Sequence, residues 1–271
     1  MTDTTASDVN QGQIDCEVQD HVLLIRINRP TKLNGFTPVM MRGLADAYTR
    51  LETDENLRVG VVCAEGKHFT AGLDLPTIAP IMRKGERLFP KDQVDPFDLG
   101  MQGHPRRSKP LLVAVKGITY TLGIELMLAA DVVIAADNCR FSQLEVKRGV
   151  MATGGATLRM AQRAGSGNAL LHLLTGDEFD AAEALRLNFV QKVVPVGEEL
   201  DEAMRIAEVI AAQAPLAVQA TIASVRQCVE DGPKAAADDF VATQARLANS
   251  EDAAEGVASF REKRPAQFKG R

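Results

Sequence analysis

Residues 111–137, LLVAVKGITYTLGIELMLAADVVIAAD, most constrain what this chain can become. They read as strand, tight turn, helix and strand. From Ile118 to Ala130 they carry a single charge, Glu125. A carboxylate among packed Leu, Ile and Met is costly to ionise. It must be paired, raised in pKa or put to use. The reading adopted is that it is used, with Glu145 as its partner.

The chain has 271 residues, 45% hydrophobic and 25% charged, which places it among globular proteins with a sizeable core. Aromatics are only 4% and Trp is absent, so Ala, Leu, Val and Ile must fill that core. A net charge of −5 argues against a dedicated nucleic-acid binder. Cys16, Cys63, Cys139 and Cys228 form no CxxC pair, so neither a zinc site nor a disulfide framework is suggested. Free thiols in a reducing cytoplasm are the simplest account. The polar start MTDTTASDVNQGQ lacks the features of a secretory signal. Lys116, Glu125 and Asp131 interrupt residues 111–137, which argues against a membrane span there.

Taken in order, residues 1–12 read as a disordered lead. Residues 14–18 and 21–27 give a strand–turn–strand pattern. Thr37-Pro38 opens a helix, Thr as N-cap and Pro at the first position. Residues 58–64 are a buried strand leading into a loop marked by Gly66 and Gly72. Residues 76–110 are irregular, with six prolines among mixed charges; such a segment is a lid, a binding loop or a solvated mobile loop. Residues 140–144 form a short strand ending at Glu145. Asp180 and Glu183 have capping-box spacing. From residue 198 the pattern is wholly helical. The expected organisation is a strand–helix core over residues 13–197 and a helical C-terminal region over 198–271.

Two turns carry chemistry. In each, a strand runs into a glycine-containing turn and then a helix: residues 59–64 into Ala71-Gly72-Leu73, and 111–115 into Thr121-Leu122-Gly123. Helix N-termini offer free N–H groups and partial positive charge, and two facing ends can hold an oxyanion. Other motifs fail. Gly165-Ser166-Gly167 lacks a third glycine, Gly66-Lys67 is not a Walker loop, and no GxSxG elbow is present. His21, His68, His104 and His172 are scattered, with no HExxH, so no metal site is expected. Glu125 and Glu145 can each be structural acids, with Lys147 and Arg148 close to the second. Paired carboxylates in unlike environments can also act as acid and base on one substrate.

The chain resembles the crotonase (enoyl-CoA hydratase/isomerase) superfamily from about residue 14 to Lys269. The likeness is carried by Asn28-Arg29-Pro30 with Leu33-Asn34; Gly66 to Phe69 with Ala71-Gly72-Leu73-Asp74-Leu75; Lys109-Pro110 to Gly117; Gly123-Ile124-Glu125-Leu126 with Ala130-Asp131; Phe141 to Gly149 with Gly154-Gly155; Thr175-Gly176 to Leu187; and Glu255-Gly256, Phe260, Glu262-Lys263-Arg264 and Phe268. The resemblance implies an α/β fold, a spiral of ββα units with a C-terminal helical region used in trimerisation. It implies an acyl-CoA thioester as ligand and a homotrimer or dimer of trimers. No separate cofactor is implied, since coenzyme A is part of the substrate.

By resemblance, the thioester carbonyl is held by the backbone N–H groups of Leu73 and Leu122. One such donor is typically worth roughly 3–4 kcal/mol in the transition state. Glu125 activates water for attack at C3 and Glu145 delivers a proton to C2. Retention of both acids favours hydration of a trans-2-enoyl-CoA. The alternatives are another reaction of the family, isomerisation or acyl-CoA hydrolysis, and a non-catalytic acyl-CoA-binding protein. Substrate and CoA contacts are expected from Lys32, Leu33, Ala71, Gly72, Asp74, Gly123, Thr153, Lys263 and Phe268, the last two reaching a neighbouring subunit's CoA. The chain departs from the family pattern at Thr121-Leu122, where glycines are usual. It departs again at Ala152-Thr153-Gly154-Gly155-Ala156, in place of Pro-Gly-Ala-Gly-Gly, and at Lys147 and Arg148, where apolar residues are usual. The larger side chains at Thr121 and Leu122 would narrow or reshape the pocket.

Overall fold

Near-continuous aliphatic strands need cover on both faces, and the main sheet is built to receive it. The computed structural model describes residues 11–271, so most of the expected lead over residues 1–12 lies outside the described residues. The main sheet has the order β1-β2-β3-β4-β6-β9: β1 (Gln13–Gln19), β2 (Val22–Asn28), β3 (Val59–Ala64), β4 (Leu111–Val115), β6 (Val132–Ala136) and β9 (Lys192–Val194). Only β1 and β2 pair antiparallel; the other neighbours are parallel. A second, three-stranded sheet joins β5 (Ile118–Tyr120), β7 (Arg140–Ser142) and β8 (Phe179–Asp180).

Alternation along the strands sorts the core into two layers. Leu23, Ile25 and Ile27 of β2 and Leu111, Val113 and Val115 of β4 face one layer. There they meet Met40, Leu44, Tyr48 and Leu51 of helix α1 (Pro38–Thr53). Val22 and Leu24, with Leu112 and Ala114, face the other. Thr37 caps α1 as expected, its Oγ1 accepting from Met40 N at 3.3 Å.

The first feature read from the sequence gains an element. Residues 111–137 fold as β4, then β5, then helix α3 (Leu122–Ala129), then β6. The short β5 leaves the main sheet for the second one. β6, β7 and helix α4 (Ala156–Ala164) repeat the same plan of long strand, short strand and helix. Between β3 and helix α2 (Leu75–Arg83), one residue stands in for the short strand: Thr70 bridges Thr119 in parallel. Helix α2 also shortens the segment expected to be irregular.

Downstream of α4 come α5 (Ser166–Thr175), α6 (Ala181–Arg186) and α7 (Glu199–Ala211). Asp180 caps α6, its Oδ1 accepting from Glu183 N at 2.9 Å. The boundary expected at residue 198 shifts. Ala203, Ala207 and Ala211, four apart on one face of α7, pack into the second core layer. Small side chains let this helix lie against the sheet, so α7 belongs to the core. The peripheral part begins with α8 (Pro215–Asp231) and continues through α9 (Pro233–Asp238), α10 (Phe240–Ala248) and α11 (Glu251–Glu262). α8 and α10 contain no buried residue, and Val241 and Phe260 are 82% and 86% exposed. α8 is tied to the core by ion pairs of Arg226 with Asp98 (2.8 Å) and of Arg106 with Glu230 (2.8 Å).

Arg107 fixes α3 to the sheet. Its buried guanidinium donates to both carboxylate oxygens of Asp131 (2.6 and 3.0 Å) and to the carbonyls of Ala129 and Lys109 (each 2.8 Å). Asp131 Oδ2 also accepts from Leu111 N at 2.8 Å. One fork thus joins the end of α3 to the start of β4. Arg107→Met leaves Asp131 and two carbonyls without their donor. The expected loss is roughly 3–5 kcal/mol of stability, read from urea unfolding; an unchanged midpoint contradicts this role.

Candidate active site

The loop after β3 and the turn after β5 are pressed together. Thr70 N donates to Ile118 O (3.1 Å) and Tyr120 N to Thr70 O (3.0 Å). Gly72 has φ +103°, and a Cβ there would collide with Thr121 Oγ1. Leu73 and Leu122 each follow one of these touching residues. Neither backbone N–H donates to any acceptor among the described residues. Leu122 opens α3, where the first N–H groups have no helical partner. Two unspent donors at adjoining turns are the arrangement an oxyanion needs.

Thr121 is strained. Its φ of +49° and ψ of −113° fall in a region that suits glycine. Thr121 N is held by Ser142 O (2.9 Å), and Thr121 O accepts from Ile124 N and Glu125 N. The surrounding bonds therefore impose the conformation that a glycine would adopt freely. The departure from the family pattern leaves Leu122 N–H unspent and adds backbone strain before it.

Glu125 lies one turn into α3, 6% exposed. Its Oε1 accepts from Gly154 N (2.6 Å) and Ala156 N (3.4 Å), while Oε2 has no donor among the described residues. A Cβ on Gly154 would stand 2.6 Å from Glu125 Oε2 and 2.6 Å from Phe97, so only glycine lets this backbone approach the carboxylate. Burial, and next the nearby charge of Glu145, push the Glu125 carboxyl up to about 7, against the opposing pull of the two N–H groups and Arg159. Burial also raises the Glu145 carboxyl above its ordinary range. Like charges sharing a partly dry site resist ionising together, which suits one acid and one base.

Glu145 begins a short 3-10 turn after β7. Gln143 is 1% exposed, and its amide, turned to satisfy its hydrogen bonds, donates to Glu145 Oε1 and Oε2 at 3.0 and 2.8 Å. Sequence reasoning passed over Gln143. It lies just past β7, and Leu144 after it turns the chain (φ −87°, ψ 0°) into the 3-10 turn, so no strand periodicity links it to Glu145. Lys147 and Arg148 do not pair with Glu145. Lys147 meets Asp177 at 3.2 Å, and Arg148 lines the cavity that holds Glu145.

Two adjoining cavities, of ≈ 200 Å³ and ≈ 290 Å³, share Leu73, Leu122, Glu125 and Thr153. The smaller also holds Ala71 and Glu145; the larger is walled by the loop of residues 86–104. Lys32 and Leu33 are exposed in the turn beside Ala71, whose N–H donates to Leu33 O (2.9 Å). Buried Asn34 locks that turn, donating to the carbonyls of Glu65 and His68 and accepting from Arg29 N. Asp74 is engaged by Arg29 at 2.7 Å. Gly123 is buried where a Cβ would stand 2.8 Å from the Thr70 methyl. Lys263 and Phe268 line neither cavity. Phe268 instead offers its carbonyl to Arg58 Nη2 at 2.7 Å. No group of three or more His, Cys, Asp or Glu side chains among the described residues is placed to hold a metal ion.

The sequence profile described as enoyl-CoA hydratase/isomerase matches residues 17–271. Enoyl-CoA hydratase EchA19 of Mycobacterium tuberculosis is 32% identical, covering 94% of this chain and 96% of its own length. The 2,3-dehydroadipyl-CoA hydratase of Escherichia coli is also 32% identical, over 93% of this chain and 97% of its own. Among solved structures, a probable enoyl-CoA hydratase/isomerase from Mycobacterium abscessus superposes with a TM-score of 0.91 at 46% identity, covering 96% of this chain and 99% of that one. An enoyl-CoA hydratase from Mycobacterium tuberculosis gives 0.84 at 34%, with the same coverage of both chains. The fold is that of the crotonases, and the chain belongs to the enoyl-CoA hydratase/isomerase family.

Two consequences are measurable. A carboxyl whose pKa is raised by folding favours the folded state in its protonated form. Stability is fullest below the unfolded value of 4.5 and declines as pH climbs toward about 7, by roughly 3 kcal/mol for Glu125. Glu125→Gln is expected to lose this decline and to exceed the wild type in urea midpoint at mildly alkaline pH. Parallel pH profiles contradict the assignment. Thr121→Gly relieves a strain of order 1–3 kcal/mol, so its urea midpoint is expected to rise; a fall means that Thr121 contributes packing that outweighs its strain.

Proposed function

We propose that the chain is an enoyl-CoA hydratase that adds water across the 2,3 double bond of a trans-2-enoyl-CoA. The observation that carries this is the meeting of Glu125 and Glu145 at a cavity bordered by the unspent N–H groups of Leu73 and Leu122. The relatives named above as hydratases support it.

In this reading the thioester oxygen accepts from Leu73 N–H and Leu122 N–H. Glu125, ionised, takes a proton from water through Oε2 as that water attacks C3. Negative charge moves onto the thioester oxygen as an enolate, where the two donors stabilise it most. Glu145, protonated and oriented by Gln143, delivers its proton to C2. Like-charge repulsion favours one proton on the pair, and hydration requires that proton on Glu145 when water attacks. The reaction uses no metal or cofactor beyond the coenzyme A that the substrate carries.

Lys32, Leu33, Ala71 and Gly72 are proposed to receive the CoA portion, with Gly123 and Thr153 beside the acyl group. Asp74 is assigned to supporting the Leu73 loop through Arg29. Lys263 and Phe268 are proposed to act across a subunit boundary. The exposed apolar residues of α8, α10 and α11 are proposed to be covered in a homotrimer or a dimer of trimers. Among the described residues no single helix is long and apolar enough to cross a membrane. The four unpaired cysteines fit a reducing compartment, and a cytoplasmic location is proposed on that ground, with no nucleic-acid partner.

The test is incubation with trans-2-enoyl-CoAs of graded length. Loss of the conjugated enoyl-thioester absorbance, with a product heavier by one water and its thioester intact, is the expected outcome. An isomer of equal mass or free CoA identifies another reaction of the family. Glu125→Gln and Glu145→Gln are each expected to lower kcat by about 10²–10⁴-fold. A near-normal rate in either contradicts its role. The wild-type rate is expected to fall on acidification with an apparent pKa near 7, as Glu125 takes up a proton.

A further inference from the structure

Beyond the groups of the candidate site, the larger of the two cavities has an apolar sleeve and a histidine with an unspent ring nitrogen. Met82, Leu88, Phe89, Phe97 and Met101 form the sleeve. His104 lines it too, although only 8% of its surface is exposed. Its ring packs against Phe89, centroids 4.6 Å apart and tilted by 48°. His104 Nδ1 lies 3.2 Å from the backbone carbonyl of Gln93. A carbonyl only accepts, so Nδ1 carries a proton, and Nε2 is the ring atom left without a protein partner among the described residues. A ring nitrogen fixed in orientation by a stacked ring and a backbone bond is a feature that a purely hydrocarbon chain would leave unused.

The charges around the cavity narrow the class of group that fits. Glu86, Asp95 and Glu125 are acidic, and Arg87 is the single cation in the wall. Asp95 is fully buried, its carboxylate accepting from Phe97 N (2.9 Å) and Leu99 N (3.0 Å), so it cannot turn to serve a ligand. An acyl chain ending in a carboxylate would meet this acidic surround at a Coulombic disadvantage. A neutral donor would not.

We propose that the larger cavity is an acyl subsite for a chain bearing a hydroxyl group, with the hydroxyl, able to donate or accept, hydrogen-bonded to His104 Nε2. This rests on the reading of the site as one for acyl-CoA. It names a substrate class, a hydroxylated enoyl-CoA, and a specificity-determining residue on a loop remote in sequence from both glutamates. A neutral hydrogen bond in such a site is worth about 0.5–1.5 kcal/mol net, or roughly three- to tenfold in affinity. The analogue without the hydroxyl leaves that nitrogen unmatched.

The test is calorimetric binding of saturated acyl-CoAs matched in length and carrying a terminal methyl, hydroxyl or carboxylate, so that no turnover is required. Across lengths, the best hydroxyl ligand is expected to bind roughly three- to tenfold tighter than its methyl counterpart, and the carboxylate most weakly. His104→Leu is expected to abolish the hydroxyl preference, and His104→Gln, whose amide can donate or accept, to retain part of it. Equal affinities for methyl and hydroxyl at every length, or tighter binding of the carboxylate, overturns the proposal without recourse to any variant. So does a hydroxyl preference that survives His104→Leu. Hydroxyl preference in binding without hydration of either enoyl-CoA would sink the hydratase reading and leave the subsite standing. Binding of none of the ligands overturns both.

Discussion

Burying Glu125 is the constraint to which the rest of the structure answers. A carboxylate in the middle of α3 cannot be left to an apolar surround, and no cation reaches it directly. The chain instead brings a backbone turn to it. Gly154 donates one short hydrogen bond, and that approach requires a residue without a side chain at position 154. The turn in turn depends on α4, which starts immediately after it. Arg159 on α4 adds a positive potential and donates to Asp98 O at 3.2 Å. The environment supports the charge only in part, so the carboxyl stays near the point of half-ionisation, where a group can both take and return a proton.

The second constraint is the contact of the two turns. The β3–α2 loop and the β5–α3 turn must touch for two backbone donors to converge. The contact is made with a threonine where glycine would be easier. Bonds from Ser142, Thr70 and Ile118 hold the segment in place, so the local cost at Thr121 is met by non-local hydrogen bonding. Strain of this kind persists only where the surroundings over-determine the backbone. Its position, one residue before a proposed oxyanion donor, is where pre-organisation matters most.

Around this centre the parts differ in how firmly the chain specifies them. The parallel sheet and its two core layers follow from aliphatic alternation, and α7 joins them through three alanines. The loop of residues 86–104 obeys no such pattern. It is shaped by single contacts: Asp95 capping Phe97 and Leu99, Phe89 on His104, and Arg106 and Arg226 on Asp98. Variation there changes the wall of the larger cavity without disturbing the sheet. The peripheral helices α8, α10 and α11 leave apolar residues uncovered.

Much was legible before any coordinates. The caps at Thr37 and Asp180, the strands β1 to β4, and the two strand–turn–helix junctions are local, since each is set by neighbours within a few residues. Glu125 stood out because one charge in an apolar run is anomalous by itself. Gln143 gave no such signal, because the chain turns at Leu144 between it and Glu145. What only the tertiary structure decided is everything that depends on distant segments meeting. It brought Gly154 to Glu125 across the fold, engaged Asp74 with Arg29, and moved α7 from the appendage into the core. It also left His104 beside a cavity with one nitrogen unspent. Sequence patterns report periodicity and local hydrogen-bond supply. They are silent about which donor reaches which acceptor across the fold, because long-range packing fixes that.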